Sequence, residues 1–343
     1  MLRQKKLEIL FFSILIFYCL YCISQFGRTW DILFHYELGK DRLDYLFSLG
    51  ANKVNDNLFN NKYYPGAYST ILAFLVQLFP RDFILQSIYT INLIFSVLTV
   101  FGISKISKEL FNRDIGKIVF IVCFFNPIFF GHMAINSIDT IIAFSYVWLL
   151  YLILKYFKNS QNKEKRNNCV VLAGLCLGLG IGTRNSFLVT LLPIFLFLLF
   201  EIFYFKVFIK KSFNKRIFFL DSFKVLIISY FFMIFFWPQT HENIFLLPFK
   251  LAVEGLSWGW GAPLVLFNGQ TVLTESIPKS YILLNLFYKM PEFVVVGFFL
   301  LIALFLKISS NFKKSIKGFN LKIFLIFFII IFPNFLIFFS PYG

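Results

Sequence analysis

Three charged side chains stand at the ends of apolar segments, where they could take part in chemistry. Asp31 follows the first long apolar run, Asp139 begins a later one, and Arg184 lies in a tight turn between two others. A positioned carboxylate can remove the proton of a hydroxyl group as a general base, and a guanidinium offers fixed hydrogen-bond donors to phosphate oxygens. These residue types therefore suit the transfer of a group from a phosphate to a hydroxyl.

Each of these residues also has a purely structural interpretation. Asp31 can form an interfacial salt bridge with Arg28, three residues earlier on the same helical face. Asp139 can act as a helix cap, which the helix dipole favours. Arg184 can extend its side chain to lipid headgroups. The residue types alone leave both interpretations open.

Further polar side chains lie near these positions in the sequence. His132 and Asn136 precede Asp139 in a very short connection, so we expect all three to reach one pocket. His241 and Glu242 follow the segment WPQT. This adjacent pair could act as acid and base or bind a metal, although it is also an ordinary feature of loops.

The composition predicts an all-α integral membrane protein. Of 343 residues, 59% are hydrophobic, 21% aromatic and 15% charged, and a soluble domain could not keep so much apolar surface out of water. A helical span needs about 20 apolar residues, and we expect about nine spans when shorter and proline-interrupted runs are counted. The expected spans are 7–26, 83–103, 117–131, 139–157, 168–183, 186–205, 223–237, 292–307 and 322–339.

The distribution of positive charge predicts the orientation of these spans. Lysine and arginine crowd the amino terminus and alternate connections, which places those segments in the cytoplasm. Most of the net charge of +16 comes from the lysine and arginine residues of these cytoplasmic segments. Nucleic-acid binding is excluded because the sequence shows no basic soluble domain. We expect a single transmembrane domain over 1–343, with long outside segments at 27–82 and 238–291 and short ones at about 132–138 and 183–186. Any site is expected on this outward face.

The first outside segment predicts two helices that lie along the membrane surface. Leu33, Phe34 and Leu38 recur at helical spacing opposite charged residues, and a second apolar run follows the Pro65–Gly66 turn. We find no internal repeat with matching interrupted helices, which would have favoured a transporter. The asymmetry favours a protein that works at one membrane face.

Several segments occur in an order that resembles a known group of enzymes. An acidic residue follows the first span, and the chain then contains KYYPGAYSTILAFLVQLF, NPIFFGHMAINSIDTIIAF, GLCLGLGIGTRNSFLVTLLP and FFWPQTHENIFLLPF. This order resembles the GT-C membrane glycosyltransferases, and more narrowly their family 39. That group is related to protein O-mannosyltransferases and aminoarabinose transferases, which take a sugar from a polyprenyl phosphate.

The resemblance implies roles for three residues. Asp31 matches the carboxylate that serves these enzymes as catalytic base, Asp139 matches a second carboxylate, and Arg184 matches the basic residue that faces the lipid phosphate. Many relatives have an Asp-Glu pair where this chain has Asp31-Ile32. The resemblance therefore implies neither a role for a second carboxylate at position 32 nor a bound metal. Relatives usually continue beyond the position of Gly343, and we expect that a C-terminal part is lacking.

The sequence therefore predicts a membrane glycosyltransferase, specifically a hexosyl- or pentosyltransferase. It would move a sugar from a polyprenyl phosphate to an acceptor hydroxyl, with inversion at the anomeric carbon. The predicted catalytic residues are Asp31 and Asp139. The predicted substrate-binding residues are Arg184, His132, Asn136, Tyr64, His241 and Glu242.

The predicted function also implies a cellular location and a class of acceptor. The expected location is the bacterial inner membrane, with the site facing the periplasm and a lipid, protein or glycan as acceptor. No cofactor is indicated, although a divalent metal is compatible with the chemistry. The alternatives are a multi-span transporter of a small solute or lipid-linked sugar, and an inactive scaffold subunit of another transferase.

Overall fold

The computed structural model describes most of the chain. The described residues are 2–29, 31–55, 61–206, 208–209, 213–257, 264–273, 276–278 and 280–310. The predicted span 322–339 lies outside the described residues.

The described residues form fourteen α-helices and one small β-hairpin. The helices are α1 (Leu2–Gln25), α2 (Ile32–Phe47), α3 (Ala67–Val76), α4 (Ile84–Leu110), α5 (Arg113–Phe124), α6 (Pro127–His132), α7 (Asp139–Lys158), α8 (Lys163–Thr183), α9 (Phe187–Thr190), α10 (Leu192–Phe200), α11 (Lys215–Phe235), α12 (Leu247–Ser257), α13 (Ser280–Lys289) and α14 (Glu292–Ser310). The strands are β1 (Leu264–Phe267) and β2 (Gln270–Leu273).

Five helical segments are long and apolar enough to cross a membrane. They coincide with five of the predicted spans, and the total of about nine spans stays a prediction. The five segments are Glu8–Gln25, Arg81–Leu110, Asp139–Lys158, Phe187–Tyr204 and Lys215–Phe235.

The predicted span 117–131 differs from the structure, because it is divided into α5 and α6. Asn126 caps α6 by accepting a hydrogen bond from the backbone N–H of Phe129 at 3.1 Å, and Pro127 occupies its first turn. Proline lacks the N–H that a continuing helix needs, so α5 ends just before it. The Asn-Pro pair is the sequence signal for this break.

The hairpin is an exception to the all-α prediction. β1 and β2 pair antiparallel, with Leu264 opposite Leu273 and Phe267 opposite Gln270. Asn268 and Gly269 form the turn with φ angles of 49° and 77°. An Asn-Gly pair between apolar residues favours this two-residue turn, because both residues tolerate positive φ.

Small residues allow α8 to pack closely between neighbouring helices. A Cβ atom added at Gly174 would lie 2.7 Å from the Cβ atom of Ile228 in α11, and one at Gly178 would lie 2.9 Å from that of Phe232. On another face, a Cβ atom at Gly182 would lie 2.8 Å from that of Ala67 in α3. Glycine at these three positions therefore allows close helix packing.

The two helices expected in the first connection are present as α2 and α3, and they cross in backbone contact. A Cβ atom at Gly39 would lie only 1.9 Å from the carbonyl oxygen of Ser69. Ile32 and Leu72 are completely buried in the core that these helices share with α4. The membrane-surface position of α2 and α3 stays a prediction.

At the basic end of the bundle, ion pairs join the helices. Asp221 of α11 accepts hydrogen bonds from Arg166 Nε at 2.9 Å, from Lys224 Nζ at 2.9 Å and from the Tyr156 hydroxyl at 3.0 Å. The Asp221 side chain is only 3% exposed, so these partners compensate its removal from water. The network connects α7, α8 and α11 at the end opposite Asp139.

Candidate active site

Asp139 and Arg184 meet at one end of the helical bundle. Asp139 is the first residue of α7, and Arg184 directly follows the last residue of α8. Because these two helices run in opposite directions, the start of one lies beside the end of the other. Arg184 Nη1 is 4.0 Å from Asp139 Oδ1, and the side chains are 46% and 71% exposed. Both charged groups are therefore accessible to a ligand.

Asn136 organises the connection that precedes Asp139. Its Oδ1 atom accepts a hydrogen bond from the backbone N–H of Asp139 at 2.8 Å, and its Nδ2 atom donates to Asp139 Oδ2 at 3.0 Å. The capping acceptor at the start of α7 is thus the Asn136 side chain. The Asp139 carboxylate retains its second oxygen for Arg184.

Buried polar residues of α4 hold this connection in place. Asn92, which is completely buried, donates hydrogen bonds to the carbonyl oxygen of Ala134 at 2.8 Å and to Ser137 Oγ at 3.0 Å. The Tyr68 hydroxyl of α3 donates to Asn92 Oδ1. Because a buried polar group is costly to leave without partners, this network resists displacement of the Asp139 backbone.

Asp31 lies close enough to Asp139 for the two carboxylates to interact. Partial burial, and secondly the negative charge of Asp139, raise the pKa of Asp31. Asp31 precedes α2 at the N-cap position, but its side chain makes no cap hydrogen bond. No ion pair joins the described side chains of Arg28 and Asp31, so the predicted interfacial salt bridge is absent from this structure.

His35 is a further member of this cluster, which the sequence prediction of the site omitted. Burial first, and then the positive charges of Arg42 and Arg184, lower the pKa of His35 to about 4, while the Asp139 charge acts in the opposite direction. The imidazole is therefore neutral at pH 7. Its position one helical turn after Asp31 could have suggested its inclusion.

Arg42 was also omitted, and it is completely buried. Its Nη2 atom donates a hydrogen bond to the carbonyl oxygen of Tyr64 at 2.6 Å. Gly66 adopts a φ angle of 77°, and a Cβ atom there would lie 2.4 Å from Arg42 Nη1. The arginine thus fixes the Tyr64–Gly66 turn to α2, and glycine is required for both the conformation and the space.

The remaining predicted residues lie in different surroundings. His241 Nε2 lies 2.9 Å from the carbonyl oxygen of Ile234, and its Nδ1 lies 3.1 Å from the Tyr45 hydroxyl. A carbonyl can only accept, so Nε2 donates to Ile234. Glu242 and His132 are exposed. The assignment of these residues to substrate binding stays a prediction.

Among the described residues, no three or more His, Cys, Asp or Glu side chains are grouped so that they could hold a metal ion. The nearby Asp31 and Asp139 are two carboxylates, and Arg184 already lies next to one of them. The expectation that no cofactor is required stays a prediction.

A large apolar cavity of about 390 Å³ lies elsewhere in the bundle. It lies between α7, α8, α10 and α11, and its lining includes Leu149, Tyr156, Val170, Leu198 and Asp221. Tyr156 is near the end of α7 and Val170 is near the start of α8. The cavity therefore extends toward the basic end of the bundle, away from Asp139 and Arg184.

The chain was compared with known proteins. The sequence model of the family described as dolichyl-phosphate-mannose-protein mannosyltransferase matches residues 65–237, a region that includes Asp139 and Arg184 and begins after Asp31. No curated protein and no solved structure matches the chain. The family match covers half of the chain and includes in full four of the five helical segments that are long enough to cross a membrane. The chain therefore belongs to the dolichyl-phosphate-mannose-protein mannosyltransferase family and is an integral membrane glycosyltransferase of the GT-C type.

Proposed function

We propose that this chain transfers a sugar from a polyprenyl phosphate to an acceptor hydroxyl, with Asp31 as general base. The observation that carries the proposal is the convergence of Asp31, Asp139 and Arg184 at one end of the bundle. A carboxylate base, a cation for the leaving phosphate and an accessible space between them are what this transfer needs. The family match supports a lipid-linked mannose as donor.

Asp31 is a better base than Asp139 for two reasons. Asp139 lies 4.0 Å from Arg184 and accepts a hydrogen bond from Asn136, so its carboxylate oxygens already have partners in the structure. The pKa of Asp31 is instead raised by burial and by Asp139. A higher pKa makes a carboxylate a stronger proton acceptor, provided that it remains ionised at the working pH.

The transfer follows one displacement step. The acceptor oxygen forms a bond to the anomeric carbon while its proton passes to the Asp31 carboxylate. The bond between the anomeric carbon and the phosphate oxygen breaks, and polyprenyl phosphate leaves with the electron pair. Arg184 stabilises the charge on the departing phosphate. Attack from the side opposite the leaving group inverts the anomeric centre.

The site would face outside the cytoplasm. The connections at the opposite end of the bundle carry most of the lysine and arginine residues, and cytoplasmic segments are enriched in these residues. The negative lipid phosphate would then lie at the interface beside Arg184, while its apolar chain stays among the transmembrane helices. The acceptor class is left open between lipid, protein and glycan.

A single assay with purified protein tests the proposal. Polyprenyl-phosphate mannose, radiolabelled in the sugar, is incubated with the protein in detergent and a mixture of candidate acceptors. Release of polyprenyl phosphate together with label on an acceptor supports the transferase. Absence of turnover in detergent, with movement of intact donor only in sealed vesicles, would instead support a carrier.

A further inference from the structure

We propose that His35 binds a hydroxyl group of the donor sugar and thereby contributes to sugar specificity. This inference rests on the proposed function, because it concerns the substrate of the same site. His35 would act as a neutral hydrogen-bonding group and not as a second base. The assignment follows from where the residue lies, which groups surround it and which bonds its ring makes.

His35 shares a face of α2 with the proposed base. The backbone N–H of His35 donates to the carbonyl oxygen of Asp31 at 3.0 Å, which is the hydrogen bond of the first helical turn. Residues four positions apart project from the same side of a helix. The imidazole therefore lies on the side of α2 that carries the Asp31 carboxylate.

The charged neighbours of His35 define what part of the substrate reaches it. Arg184 and Asp139 both act electrostatically on the imidazole, as does Arg42 from the same helix. In the proposed reaction the sugar lies between the base and the cation, because its anomeric carbon is bonded to the phosphate and attacked by the acceptor. A group that is near both Asp31 and Arg184 therefore borders the sugar.

The imidazole has unused hydrogen-bonding capacity. Within the part of the chain that the structure describes, neither ring nitrogen of His35 makes a hydrogen bond, and the ring is only partly buried against Phe34. A neutral imidazole offers one N–H donor and one nitrogen acceptor, a combination that suits a sugar hydroxyl. The two arginines oppose protonation and so maintain this state.

The same electrostatics argue against His35 as the base. Burial and the charges of Arg42 and Arg184 lower the pKa of His35 to about 4, whereas the pKa of Asp31 is raised. Protonation of His35 would add a third positive charge beside two arginines. The residue is therefore suited to hold a hydroxyl and poorly suited to accept a proton during the reaction.

The test combines variants of His35 with donors that lack single hydroxyl groups. Wild-type protein, His35→Ala and His35→Gln are assayed with polyprenyl-phosphate mannose and with its 2-, 3-, 4- and 6-deoxy forms. For the mannose donor we expect His35→Ala to lower kcat/KM about ten-fold, because one hydrogen bond is lost. For one deoxy donor the same substitution should have no further effect, and His35→Gln should recover part of the activity on mannose.

Controls separate this result from general damage. Glu37→Gln alters an exposed residue two positions from His35, on a different face of α2, and should leave all donors unaffected. Thermal unfolding of each variant shows whether the fold is retained. An equal loss with every donor, including all four deoxy forms, overturns the role of His35. Failure of wild-type protein to release polyprenyl phosphate from any donor overturns the proposed function itself.

Discussion

The guanidinium of Arg184 lies 4.0 Å from the carboxylate of Asp139, although the two residues belong to different helices. This distance is at the limit of an ion pair, and both groups are accessible. An exposed pair of this kind contributes little to stability, about 0–1 kcal/mol. Its proposed role is therefore in binding, because the exposed guanidinium of Arg184 is accessible to a phosphate group.

Replacement of Arg184 should mainly affect catalysis. We expect Arg184→Gln to lower kcat/KM with polyprenyl-phosphate mannose by about 10²–10³, which is typical when a group that stabilises developing charge is removed. Arg184→Lys should recover part of this loss, because lysine keeps the positive charge but lacks the planar guanidinium group that can donate two parallel hydrogen bonds to a phosphate. Arg81→Gln, an exposed arginine before α4, is the matched control. Equal activity of Arg184→Gln and the control would exclude Arg184 from phosphate binding.

Asp139 should influence the pH dependence through Asp31. The negative charge of Asp139 is one cause of the raised pKa of Asp31, so Asp139→Asn should lower that pKa. Since Asp31 acts as a base only when ionised, the acid limb of the profile of kcat/KM against pH should move to lower pH. A limb that stays in place or moves to higher pH in Asp139→Asn would contradict the coupling.

His35 should also affect the pH dependence of stability. Its pKa is about 4 in the folded protein and higher in the unfolded chain, so between these values only the unfolded chain binds the proton. The free energy of unfolding contributed by this group therefore falls as the pH is lowered from about 6.5 to 4. Thermal unfolding of His35→Gln in detergent should show a smaller decrease over this range than wild-type protein. An unchanged slope would mean that His35 is not held neutral.

The crossing of α2 and α3 should not tolerate a larger side chain at Gly39. The Cβ atom of Gly39→Ala would lie 1.9 Å from the backbone oxygen of Ser69, so the two helices would have to separate. We expect a lower unfolding temperature and loss of transfer activity, because α2 carries both His35 and the cap residue Asp31. Gly131→Ala is the control, since nothing lies within 4 Å of its added Cβ atom. Normal stability of Gly39→Ala would show that the helices do not approach this closely.

Much of the framework is predictable from local sequence signals. Charges at the ends of apolar runs located Asp139 and Arg184, and antiparallel helices joined by a short connection bring such ends together. The Asn126-Pro127 break and the Asn268-Gly269 turn also have recognised signals, although the span and all-α predictions did not include them. These differences are local and leave the apolar helical pattern intact.

The environments of His35 and Arg42 could not be predicted in the same way. Helical spacing places both on α2, but it does not reveal that Arg42 bonds to the Tyr64 carbonyl or that Arg184 approaches His35. Those contacts depend on how α2 packs against the neighbouring helices, and its close crossing with α3 requires the absence of a side chain at Gly39. A single glycine in a charged helix does not identify its partner.

The central claim is that Asp31 removes the proton of the acceptor. The most direct measurement compares initial rates of sugar transfer by Asp31→Asn and Asp44→Asn, because Asp44 is an exposed carboxylate on the same helix. We predict that Asp31→Asn lowers kcat by about 10²–10⁴ with normal membrane insertion, the range for loss of a general base, while Asp44→Asn retains wild-type activity. A correctly inserted Asp31→Asn protein that transfers sugar as fast as Asp44→Asn would contradict the claim.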